Sequence, residues 1–99
     1  SFGPDILKIA KQYSKLVIDV HLMIEKPERY IQEYRLAGAD NISVHYEACS
    51  HLHRTIQQIK ETGAKAGVAL NPHTPVHLLT DIIEDLDLVI LMSLSTKRP

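Results

Sequence analysis

Four apolar, largely β-branched runs recur along the chain, and each is too short for a typical helix. Residues 16–24 form the first, residues 41–46 the second, residues 65–70 the third and residues 88–92 the fourth. They read as strands, the first of them buried on both faces. Stripes at helical spacing lie between them. Ile6, Ile9, Ala10 and Tyr13 mark a helix over about residues 4–15. Tyr30, Ile31, Tyr34 and Ala37 mark a second, with Pro27 in its first turn and Gly38 as its stop. Leu52, Ile56 and Ile59 mark a third between Ser50, a candidate N-cap, and Gly63. Leu79, Ile82, Ile83 and Leu86 mark a fourth, opened by Thr74 and Pro75.

Val17, Ile42, Ala66 and Val89 occupy comparable strand positions, so the alternation repeats at steps of 25, 24 and 23 residues. A strand–helix alternation of near-constant period is a run of right-handed βαβ units, which builds a parallel sheet. A doubly wound sheet and a piece of a (β/α)₈ barrel both fit. No G-x-G-x-x-G follows a strand, which weakens the dinucleotide-binding version of the first. Four strands and four helices are half of an eight-fold barrel, whose full length is about 250 residues. The expected architecture is therefore an α/β partial TIM barrel, a half barrel occupying residues 1–99 as a fragment of one domain. Ile18 or Val20, Val44, Val68 and Ile90 are expected on the face that a complete barrel turns inward.

Composition narrows the functional classes. Eleven Lys and Arg oppose twelve Asp and Glu, for a formal charge of −1, which argues against a nucleic-acid-binding domain. No run approaches the roughly 20 apolar residues that span a bilayer, so no membrane partner is expected. A single cysteine, Cys49, points to a reducing cytoplasmic location.

Six histidines carry the candidate chemistry. Asp19, His21 and Met23 alternate within an otherwise apolar strand, so all three share a face. Burying an ionisable group there costs free energy unless it is paired or bound to a metal. A hydrogen-bonded core histidine and a functional one both fit that spacing. His45 and Glu47 repeat the pattern at the end of the second strand. His51 and His53 fall two apart at a helix start, where they do not share a face, and read as solvated. His73 and His77 bracket a helix start and read as exposed, and Asn71 closes the third strand.

Several stretches resemble ribulose-phosphate 3-epimerases in order and spacing. They are residues 19–24 (Asp-Val-His-Leu-Met-Ile), residues 27–30 (Pro-Glu-Arg-Tyr), residues 37–40 (Ala-Gly-Ala-Asp), His45 with Glu47, residues 65–75 and residues 87–93. The resemblance implies a (β/α)₈ barrel, of which this chain corresponds to the second helix and strands three to six. It implies an isomerase of the pentose phosphate pathway that interconverts D-ribulose 5-phosphate and D-xylulose 5-phosphate by proton transfer at C3. A divalent metal of the Zn, Fe, Mn or Co class would steady the developing oxyanions.

Carried over by position, His21 matches a metal ligand that also meets substrate, and Met23 and Met92 match pocket-lining methionines. The family's two proton-carrying aspartates and its other metal ligands match nothing here, so the resemblance assigns no catalytic residue to this chain and leaves the metal site incomplete. Residues 94–99 depart from the family's glycine-rich phosphate cradle and form a divergent tail. The isolated chain is accordingly expected to be inactive, and to form a homo-oligomer or aggregate through open sheet edges. A non-catalytic half barrel that acts by self-association or partner binding is the alternative, and an unrelated open α/β protein is the third reading.

Overall fold

The computed structural model describes residues 3–12 and 15–93. Helix α1 (Pro4–Gln12) leads into strand β1 (Asp19–Leu22), and helix α2 (Ile31–Ala37) into β2 (Asn41–His45). Helix α3 (Leu52–Glu61) leads into β3 (Lys65–Leu70), and β4 (Leu88–Leu91) is the last strand. The strands lie in the order β1-β2-β3-β4, every pair parallel. Chain order and sheet order coincide, as βαβ units stepping in one direction require. The result is the α/β half barrel that the alternation predicts.

One face of the sheet packs on the helices. Leu22, Ile42, Val44, Ala66, Val68 and Leu70 meet Ile31 of α2 and Ile56 and Ile59 of α3 in a continuous core. This corrects the expected facing of Val20, Val44 and Val68, which belong to the helix side rather than the interior of a barrel. Register fixes the other face. His21, Ser43, Gly67 and Leu88 form one row across the sheet, and His45, Ala69 and Ile90 form the next. Only Ile90 lies where it is expected. Both faces of these strands are apolar or small, so alternation alone carries no label for either. Volume decides: the bulky Ile42, Val44 and Val68 fill space under the helices, and the small Ser43, Gly67 and Ala69 take the opposite side.

Four further expectations change. The first strand spans only four residues and is not buried on both faces. Asp19 is exposed and His21 half-buried, and Leu16 and Val17 are exposed ahead of the strand's first residue. The fourth helix is replaced by two 3₁₀ turns, Val76–Leu79 and Ile83–Asp85. Thr80 Oγ1 donates to the His77 carbonyl at 2.5 Å, and the Ile82 and Asp85 amides bond three residues back. The β-branched Thr80, Ile82 and Ile83, together with such local bonds, disfavour a continuous helix. Pro27 heads a 3₁₀ turn (Pro27–Arg29) before α2, and His51 rather than Ser50 stands at the start of α3, without a side-chain cap. The stops are as read: Gly38 and Gly63 carry φ of 123° and 90°, which side-chain-bearing residues rarely adopt. Tyr13 and the tail at residues 94–99 lie outside the described residues.

Asp40 ties the start of β1 to α1. Its Oδ2 accepts from the Ile18 amide at 2.7 Å and from Lys11 Nζ at 2.5 Å, while its own amide donates to the Ile18 carbonyl at 2.8 Å.

Candidate functional site

The uncovered face of the sheet gathers the polar side chains that the strands carry. His21 projects from β1, and Ser43 and His45 from β2, all on that face by register and alternation. The imidazoles of His21 and His45 stack, with ring centroids 4.6 Å apart and planes 19° from parallel. His21 Nε2, Ser43 Oγ and His45 Nε2 are each buried without a hydrogen-bond partner in the protein. A buried polar atom without a partner costs free energy and calls for an explanation. Three on one face of two adjacent strands indicate a site made for something other than the chain's own side chains.

Electrostatics favour neutral imidazole at His21. Burial holds its pKa below the ordinary histidine value, the neighbouring His45 pushes the same way, and Asp19 opposes both. A neutral ring keeps the lone pair that a metal or a substrate hydroxyl requires.

Glu47 braces the site from the C-terminal ends of the strands. One carboxylate oxygen, Oε2, accepts from the Thr74 hydroxyl and from the Asn71 amide at 3.4 Å, while the other, Oε1, stands 3.9 Å from His45 Nδ1. Burial pushes the Glu47 carboxyl up, but these bonds outweigh it and leave its pKa below the usual value. Met23, Ile24, Glu25, His45, Glu47, Ala48 and Asn71 line a cleft of about 340 Å³ here. In a parallel α/β barrel this end of the strands carries the chemistry.

The structure thus brings His21 and His45 together and places Met23, 68% exposed, on the cleft beside them. Met92 lies just past β4, its amide donating to the Leu70 carbonyl at 3.0 Å. Strands β2 and β3 lie between β4 and the strand that carries His21. The other histidines stand apart: His51, His73 and His77 are exposed, and His53 Nε2 meets Asp85 Oδ2 at 3.3 Å. Sequence reasoning passed over Ser43 and the Thr74 contact. Ser43 was within reach, since it precedes His45 by two residues and must share its face.

His21 suits one ligand's part in a metal site: its Nε2 is buried and unpartnered, and burial holds its pKa below the ordinary histidine value. Among the described residues, however, no three His, Cys, Asp or Glu side chains group so as to hold a metal ion. The chain by itself does not supply a complete ligand set.

Comparison with known proteins converges with this geometry. The sequence profile of the ribulose-phosphate 3 epimerase family matches residues 1–97. A Bacillus subtilis ribulose-phosphate 3-epimerase is 57% identical over 95 residues, covering 96% of this chain and 44% of its own length. A Synechocystis ribulose-phosphate 3-epimerase is 46% identical over 97 residues, covering 96% of the chain and 42% of its own length. A chloroplastic ribulose-5-phosphate-3-epimerase of Arabidopsis thaliana is 45% identical over 97 residues, covering 96% of the chain and 34% of its own length. The chain spans less than half the length of the curated relatives it matches.

Proposed function

The chain belongs to the ribulose-phosphate 3-epimerase family, and from that premise we propose that it is the central wall of an epimerase barrel. In the complete barrel it contributes to interconversion of D-ribulose 5-phosphate and D-xylulose 5-phosphate by proton transfer at C3. The observation that carries this reading is His21 Nε2, buried without a protein partner on the face that a closed barrel turns inward.

Removing a proton beside a carbonyl demands stabilisation of the charge that develops on oxygen. A divalent cation of the Zn, Fe, Mn or Co class, when bound, supplies that stabilisation. His21 would be one of its ligands. His45, stacked on His21 and braced through Glu47, restrains the ring's orientation, and Met23 offers an apolar wall to the sugar backbone. The proton carriers are not among this chain's residues, so the chain alone does not turn over substrate. The reading also places the protein in the cytoplasm with sugar phosphate as its small-molecule partner. No described helix is long and apolar enough to cross a membrane.

The test is a graft. Residues 3–93 replace the matching stretch of the Bacillus subtilis relative, and turnover of ribulose 5-phosphate is measured. Activity that disappears on His21→Ala supports the reading. A folded but inactive graft, beside an active parent, overturns it.

A further inference from the structure

Glu47 holds two neighbours at once. It sits in the 3₁₀ turn Tyr46–Ala48 that follows β2, two residues past His45. Its Oε2 accepts from the Thr74 hydroxyl and from the Asn71 amide at 3.4 Å, while the Thr74 amide donates to the Asn71 carbonyl at 3.0 Å. The turn over residues 71–74 is thus closed on itself and tied to the end of β2 by one carboxylate oxygen. Those bonds fix the carboxylate, and its other oxygen, Oε1, stands 3.9 Å from His45 Nδ1. All of these residues belong to β2, β3 and the turns that follow them, the two central strands of the sheet.

A neutral imidazole carries a proton on one ring nitrogen and a lone pair on the other. A carboxylate beside Nδ1 favours the tautomer with Nδ1–H, because the N–H dipole points at the negative charge and a lone pair there is repelled. That choice leaves Nε2 as an acceptor. His45 Nε2 is buried without a partner in the protein, and the His45 side chain, 14% exposed, lines the cleft with Met23 and Asn71. Among the described residues no Lys or Arg lines this cleft, whereas Glu25 and Glu47 both do. A phosphate group here would face two carboxylates. Uncharged hydroxyls bring the donors that such a lining can accept.

We propose that Glu47 is a positioning residue that holds His45 as its Nδ1–H tautomer, and that His45 Nε2 then accepts a hydrogen bond from a hydroxyl of the sugar phosphate. The second half rests on the epimerase reading above, and the first does not. The stack on His21 orients the His45 ring, whereas Glu47 decides whether that ring offers a lone pair or an N–H to a ligand.

Isotope labelling of the histidine rings and long-range proton–nitrogen NMR read the tautomer, in the whole chain and in the graft of residues 3–93. Spectra are taken at about pH 8, above the ordinary histidine pKa of about 6.5, and His45→Phe assigns the signal. The wild type is expected as Nδ1–H. In Glu47→Gln the amide oxygen still serves Thr74 and Asn71, and the NH₂ turns toward His45 Nδ1, so the tautomer switches to Nε2–H. Thr74→Val keeps the carboxylate and therefore the Nδ1–H form. In the graft, His45→Phe leaves a flat ring against His21 without an acceptor, so KM for ribulose 5-phosphate rises about tenfold with kcat little changed, and Glu47→Gln follows it. Nε2–H in the wild type, or a tautomer unmoved by Glu47→Gln, overturns the role of Glu47. An unaltered KM in His45→Phe overturns the hydroxyl contact and leaves the epimerase reading intact. An inactive parent graft overturns that reading and the contact with it, while the spectra still decide the tautomer.

Discussion

Leu88 lies directly over Gly67: a Cβ built on that glycine would meet the leucine Cγ at 2.7 Å and both its methyl carbons at 3.1 Å. The two are register partners across β3 and β4, in the row that also holds His21 and Ser43. Gly67 is needed for close approach here, since its φ is not in the left-handed region.

Gly67→Ala is therefore expected to destabilise the chain by about 1–3 kcal/mol through overpacking. Combining it with Leu88→Ala should recover part of that loss, because the second change removes the clashing carbons. Urea unfolding of both single variants and the double variant measures the coupling. Additive losses would mean that the contact does not decide the residue.

Asp40→Asn tests the anchor between α1 and β1. The Asp40 carboxyl lies below the usual carboxylate range, chiefly because the Ile18 amide donates to it and then because Lys11 does. A lowered folded-state pKa stabilises fully above the unfolded value of about 3.9, and that contribution is lost as pH falls through the folded value. Both side chains are about one third exposed, so solvent screening keeps the loss to about 1 kcal/mol at neutral pH. Wild type and Asp40→Asn should differ above about pH 4 and converge in stronger acid. Parallel acid-unfolding curves would count against the anchor.

His21 should titrate below the ordinary histidine value in NMR spectra. Burial is the larger cause and the neighbouring His45 the next, so His45→Ala should raise the His21 pKa without fully restoring it. The sign for stability follows. Because the folded pKa is lowered, this contribution is intact above about pH 6.5 and is lost as pH falls from there through the folded value. A His21 pKa unmoved by His45→Ala would show that the stacked ring exerts no field on it.

Cys49 should react slowly. Burial raises its thiol pKa to about 11, against an ordinary value of 9.0. At neutral pH that leaves roughly 100-fold less thiolate than in a free cysteine. Iodoacetamide labelling of the native chain, followed by mass spectrometry, should lag the urea-unfolded chain by about that factor. Equal rates would place the thiol in open solvent.

The isolated chain should show no turnover of ribulose 5-phosphate. Groups that act together in catalysis lose nearly all of their effect when part of the set is missing. A coupled assay with a His21→Ala control decides it, and any rate above that control contradicts the expectation.

Much of the fold was legible in the sequence because it rests on local order. Short β-branched runs separated by amphipathic stripes specify parallel strands in sequence order, and Gly38 and Gly63 mark helix ends where positive φ is required. The spacing of Asp19, His21 and Met23 placed them on one face, and the motif around them identified the family. Tertiary structure decided the rest. Which face of β2 and β3 is covered depends on where α2 and α3 find volume to fill, and two apolar faces carry no mark of that. The segment after Pro75 closes into 3₁₀ turns because its β-branched residues and local hydroxyl bonds compete with a helical stripe of the right period. The pairing of His21 with His45, 24 positions apart, arises from the β1–β2 register, which sets His21 opposite Ser43 and leaves the two rings one row apart and within stacking distance. Register is a property of packed strands, so no reading of either segment alone contains it.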